Sequence, residues 1–173
     1  MKKIPVAIQL YSLRDVMPKD VPGNLRKIAA MGYQGVEFAG FYDLPGATLR
    51  KMLDDCGLRC AGSHTGLDAL EGDAFEKTVA TNKALGNNRL IVPGADLENL
   101  SKTIERMNAA HARAKTCGMR VGYHNHTREF ELDKGMTKFA RIFSATPADF
   151  LVQIDIGWAA CAAQDVPVLL RTY

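Results

Sequence analysis

Tyr123-His124-Asn125-His126-Thr127-Arg128-Glu129-Phe130 is the densest run of chemically capable side chains in the chain. Imidazoles and a carboxylate suit a borderline divalent ion such as zinc, manganese or cobalt. An imidazole can also carry a proton near neutral pH. On an extended backbone His124 and His126 share one side and Asn125 takes the other. Glu129 falls just past the strand, where a loop carboxylate can turn inward. The plainer alternative is a hydrogen-bonded core histidine and a solvated Glu129. A second cluster is Asp155-Ile156-Gly157-Trp158. Asp155 follows an apolar run containing Leu151 and Val152 and is drawn toward a dry interior, where a lone carboxylate is costly unless a cation or donors meet it. Its alternative is a helix N-cap. Trp158, the only tryptophan, offers an apolar wall to a sugar ring, or plain core packing.

Three further positions close apolar runs in the same way. Gln9 opens the polar stretch that ends at Arg14. Glu37, between Val36 and Phe38, can accept from hydroxyls or pair with a cation on a neighbouring strand. His64 can bind a hydroxyl or pass a proton, with a structural histidine as the alternative. His111 differs, because it lies on the apolar stripe of a helix and reads as structural.

The elements that must position these groups alternate. Val6–Leu10, Tyr33–Phe38, Leu58–His64, Arg89–Val92, Met119–Tyr123 and Phe150–Ile154 read as strands. Between them, helical spacing links Leu25, Ile28 and Ala29, then Leu49, Met52, Leu53 and Cys56, then Phe75, Val79 and Leu85. The clearest stripe is Leu97, Leu100, Ile104, Met107, His111, Ala114 and Cys117. Phe139, Ile142 and Phe143 suggest a fifth helix, and Val166–Leu170 starts a sixth. Gly32, Gly57, Gly86 and Gly118 stand where helices should stop. Strand starts recur roughly every 25–31 residues, the length of one strand–helix unit. Such alternation calls for a parallel sheet with its helices outside. Ligands then bind at the C-terminal ends of the strands, where every polar cluster falls. An open doubly wound sheet expects a glycine-rich phosphate turn after strand one, but Tyr11-Ser12-Leu13-Arg14-Asp15 holds no glycine. A (β/α)8 barrel has no such requirement but needs two more units.

Composition narrows the function classes. A net charge of +3, with no Lys/Arg run beyond two residues, gives no basic stripe for nucleic acid. Cys56, Cys60, Cys117 and Cys161 lack the Cys-x2-Cys spacing of zinc ribbons or redox motifs and fit a reduced, cytoplasmic setting. The basic start, Met1-Lys2-Lys3, precedes too short an apolar stretch for a signal peptide. No window approaches the roughly 18 apolar residues of a membrane span.

Five motifs occur together in order: Ile8-Gln9-Leu10-Tyr11-Ser12-Leu13-Arg14-Asp15, Met31-Gly32-Tyr33-Gln34-Gly35-Val36-Glu37-Phe38, Gly62-Ser63-His64-Thr65-Gly66-Leu67, Gly122-Tyr123-His124-Asn125-His126 with Glu129-Phe130, and Asp155-Ile156-Gly157-Trp158. Together they resemble the sugar phosphate isomerase/epimerase family of the xylose-isomerase-like TIM-barrel superfamily. The resemblance implies an incomplete (β/α)8 barrel of about six units. Residues 1–173 are expected to be a single domain, the N-terminal part of a longer barrel that stops before the seventh strand. Strands one and six would then leave edges for a second copy to cover. The resemblance also implies a divalent metal (Mn2+, Co2+, Zn2+ or Mg2+) bound by Glu129 and Asp155, with the remaining ligands from strands seven and eight. Glu129 and His126 are the implied catalytic pair. Gln9, Glu37, His64, His124 and Trp158 are the implied sugar contacts. The implied reaction is isomerisation or epimerisation of a keto-sugar through an enediolate, with keto-sugar or inosose dehydration and non-catalytic sugar binding or assembly as alternatives. Trp158 and the Pro93 region replace histidines of the endonuclease branch, which points away from DNA repair. Ile156 stands where relatives often carry threonine.

Overall fold

The computed structural model describes residues 4–173, so the basic start lies outside the described residues. Six parallel strands form one sheet in the order β1 (Ala7–Gln9), β2 (Gly35–Ala39), β3 (Arg59–His64), β4 (Arg89–Val92), β5 (Arg120–His124) and β8 (Leu151–Gln153). The intervening β6 (Leu132–Asp133) and β7 (Met136–Thr137) make a small antiparallel pair after β5. The sheet neighbours follow chain order throughout, as repeated right-handed strand–helix crossovers require. β1 and β8 form the two edges.

Among the described residues five α-helices lie between strands, α1 (Val21–Ala30), α2 (Gly46–Asp55), α3 (Ala74–Leu85), α4 (Leu100–Thr116) and α5 (Lys138–Ser144), and two follow β8, α6 (Ile156–Cys161) and α7 (Val166–Thr172). Asp20 starts α1 by accepting the Gly23 amide at 2.9 Å, and Pro22 sits in the first turn, where its missing N–H is harmless. α3 ends on Gly86 at φ +77°, a left-handed conformation that glycine adopts without strain. The strongest sequence stripe becomes α4, whose Leu100, Ile104, Met107, Ala110, His111 and Ala114 are all buried. Leu97 and Cys117 flank it rather than belong to it. Two features escape the periodicity: the β6–β7 hairpin, and α6, which begins directly after Asp155.

The sheet has two chemically different faces. Alternation sends Val36 and Phe38 against Leu25, Ile28, Leu49 and Leu53 of α1 and α2. Leu90, Val92, Val121 and Tyr123 pack against Ile104, Met107, Ala110 and Ala114 of α4. The opposite face is small below and polar above. Gly35 and Gly122 lie low on it, and an added Cβ at Gly122 would stand 2.5 Å from the Leu151 carbonyl oxygen of β8. Gln9, Glu37, His64, His124 and Gln153 lie at its upper, C-terminal end. The sheet curls so strongly that Gln153 of β8 donates to Glu37 of β2 at 2.6 Å, although three strands separate them in the sheet. That curl is the curvature of a barrel wall.

Candidate functional site

Each polar group at the upper rim has a local cause. The β2–β3 register slips between Val36 and Glu37, so that Val36 pairs with Cys60 but Glu37 with Gly62. The extra residue is Ala61 of β3, and such a bulge re-aims the side chains that follow it, turning His64 toward the rim. A side chain at position 62 would come within 3.0 Å of Glu37 Oε2, so glycine leaves room for the carboxylate. Glu37 then accepts from Gln9 Nε2 (3.2 Å), His64 Nε2 (3.1 Å) and Gln153 Nε2 (2.6 Å). Gln153 Oε1 lies 2.9 Å from His64 Nε2 and 2.9 Å from His124 Nδ1. One network therefore ties β1, β2, β3, β5 and β8 together.

Above it lies a cavity of about 670 Å3 lined by Gln9, Tyr11, Ser12, Ala39, His64, Pro93, His124, His126, Asp155 and Trp158. The rings of His124 and His126 stand 5.1 Å apart, and His126 meets Trp158 at 5.7 Å. Trp158 is 44% exposed, so its ring serves as a wall rather than core. Asp155 has two roles. Its Oδ1 accepts the Trp158 amide at 2.9 Å and caps α6, while its Oδ2 faces His124 Nε2 at 3.7 Å. Asn125, on the other side of the strand end, accepts from the Asp155 amide at 2.8 Å and holds the two segments together.

The electrostatics separate the two histidines of the network. Burial disfavours charge on His64, but its hydrogen bonds to Glu37 and Gln153 and the charge of Glu37 outweigh burial and hold it above the ordinary histidine range. Burial also opposes ionisation of Glu37, and again the partners win, His64 first, so its carboxyl sits below the usual range. His124 goes the other way, because burial and the nearby His64 both push it down. Environments that pull paired groups apart are how one site holds an acid and a base at the same pH.

Glu129 is placed differently from Asp155. It is buried, its Oε1 accepts from the Tyr123 hydroxyl at 2.7 Å, and its Oε2 accepts the His126 amide at 2.8 Å. Tyr123 belongs to the helix-facing side of β5, and Glu129 is not among the residues that line the cavity. The carboxylate fixes the loop that carries His126. Among the described residues no three His, Cys, Asp or Glu side chains gather as metal ligands would. The donor set present, one open oxygen on Asp155 and one imidazole nitrogen, falls short of the coordination a divalent cation takes. His111 lies far from the rim, between Asp149 Oδ1 (3.1 Å) and the Val121 amide (3.4 Å), a structural bond as its place on the helix stripe implies.

Sequence reading did not single out Gln153. The available signal is the two-residue strand period, which puts it on the same face as Asp155.

No family model and no curated protein matches the chain. Solved structures do. A sugar phosphate isomerase/epimerase from Parabacteroides distasonis superposes with a TM-score of 0.85 at 24% identity, over 98% of this chain and 71% of its own. An AP endonuclease, family 2, from Brucella melitensis reaches 0.75 at 17% identity, over 98% and 75%. An L-ribulose 3-epimerase reaches 0.70 at 12% identity, over 98% and 66%. The fold is that of a TIM barrel with six of its strands present among the described residues. The cavity of this barrel thus opens at the end where such barrels hold their sites. Among the described residues, no helix is long and apolar enough to cross a membrane.

Proposed function

We propose that the rim cavity binds a keto-sugar or related polyol and belongs to a sugar isomerase or epimerase that works through an enediolate. The observation that carries this is the shared network of Gln9, Glu37, His64, His124 and Gln153 beneath an aromatic wall. Sugar recognition needs directional donors and acceptors for hydroxyls and an apolar face for the ring. In the proposed reaction a base removes the proton next to the carbonyl, and reprotonation at the neighbouring carbon or on the other face gives the isomer or epimer. His64, biased toward its charged form, supplies a donor to the oxygen that becomes negative. His124 and His126 are the imidazoles placed to move the proton. Glu129 acts through His126, whose backbone it holds. A divalent cation (Mn2+, Co2+, Zn2+ or Mg2+) would take Asp155 from these residues, which do not complete its coordination.

A second reading is a sugar-binding or assembly module without catalysis, for which the hydroxyl-binding network and the aromatic wall suffice. A second copy over the β1 and β8 edges is part of it. Calorimetry with a panel of keto-sugars and inososes, with and without each metal, followed by NMR of the products, separates the two. Binding with turnover supports the enzyme, and binding without turnover supports the module. Binding of none of the panel refutes both, and size-exclusion chromatography reports the assembly state.

A further inference from the structure

We propose that Gln153 is a positioning residue that fixes neutral His124 with its hydrogen on Nδ1, so that the Nε2 lone pair faces the ligand cavity. This rests on the cavity being the sugar site. The argument follows donors and acceptors around one amide. Gln153 Nε2 lies 2.6 Å from Glu37 Oε2. A carboxylate only accepts, so this end of the amide is the NH2; turning it over would set two oxygens against each other. The other end is therefore an oxygen, 2.9 Å from both His64 Nε2 and His124 Nδ1. An amide oxygen cannot donate, so both ring nitrogens carry hydrogen. For His64 this agrees with its contact to Glu37 Oε1 at 3.1 Å; Gln9 Nε2, 3.0 Å from the same nitrogen, donates to Glu37 Oε1 rather than to the ring.

For neutral His124 the consequence reaches the ligand. In water a free histidine favours hydrogen on Nε2, and the partner of one ring nitrogen decides the state of the other. Here Nδ1 is committed, and Nε2 is left as an acceptor 3.7 Å from Asp155 Oδ2. Two acceptors facing each other across that gap call for a donor between them. A sugar hydroxyl fits by donating its one hydrogen to Nε2, while Asp155 Oδ2 takes a second donor or a cation. Gln153 thereby selects a hydroxyl-bearing carbon for the position beside His124.

The test is a long-range proton–nitrogen correlation spectrum of the 15N-labelled chain at pH 8, with its four histidines assigned through their backbone resonances. The expected result is a pyrrole-type Nδ1 and a pyridine-type Nε2 for His124. Gln153→Met, which keeps length and removes both polar atoms, is expected to return His124 to the Nε2–H form and to weaken keto-sugar binding at least tenfold. Wild-type His124 with hydrogen on Nε2 overturns the proposal whether or not any variant folds. So does an unchanged Nδ1–H pattern in folded Gln153→Met. The expected tautomer without binding of any keto-sugar leaves the Gln153 assignment standing and overturns the sugar-site reading instead.

Discussion

Replacing Glu37 with glutamine should destabilise the barrel in a pH-dependent way. The carboxylate accepts three hydrogen bonds, from Gln9, His64 and Gln153, in a largely buried position. Glutamine turns one acceptor into a donor that faces other donors. A hydrogen bond to a charged group contributes about 1.5–3 kcal/mol, and a stranded donor costs about 1–3 kcal/mol. Water from the adjoining cavity relieves part of this, so the expected loss is about 3 kcal/mol, or about 6–12 °C in Tm for a chain of this size. The sign with pH follows from the two shifts. Glu37 is held below its ordinary 4.5, so its contribution is present above that value and disappears as pH falls through its folded pKa. His64 is held above its ordinary 6.5, so its contribution is present below that value and shrinks as pH rises through its folded pKa. Both act together between about pH 4.5 and 6.5. Urea denaturation of wild type and Glu37→Gln from about pH 4 to pH 9 should give a stability difference that peaks in that window. A difference that stays flat across the range would refute the charged Glu37–His64 pair.

Other substitutions separate folding from binding. Gly122→Ala drives a Cβ to 2.5 Å from the Leu151 carbonyl oxygen, and should cost about 1–3 kcal/mol by denaturation and loosen β8, which carries Gln153 and leads into Asp155. Trp158→Ala removes an exposed ring and should change stability by less than about 1 kcal/mol while weakening keto-sugar binding at least tenfold by calorimetry. His111→Ala, far from the rim, should lower stability by about 1–3 kcal/mol and leave sugar affinity unchanged, because it strands the Val121 amide and leaves Asp149 with Lys115 alone.

Much of the barrel was legible because each strand pairs an apolar, helix-facing series with a polar terminus. Val36 and Phe38 flank Glu37, and Val121 and Tyr123 precede His124, so period and destination agree. The cavity residues Gln9, His64, His124, His126, Asp155 and Trp158 followed from that rule. Three features did not. Gln153 carries no charge and sits in a run dominated by Phe150, Leu151 and Val152, so nothing in its type marks it as the hub of a network. Glu129 stands at the right distance from the strand to turn inward, but the Tyr123 hydroxyl and His126 amide capture both its oxygens. That choice depends on loop geometry that spacing does not encode. The slip at Val36–Glu37 likewise comes from pairing between distant segments.

The central claim is that the rim cavity is a sugar site, and its single tryptophan reports on it directly. Titrating keto-sugars while following Trp158 fluorescence should give a saturable change for at least one sugar, lost in His126→Ala, whose ring stands 5.7 Å from the indole. No fluorescence response to any sugar, or a response that survives unchanged in His126→Ala, would contradict it.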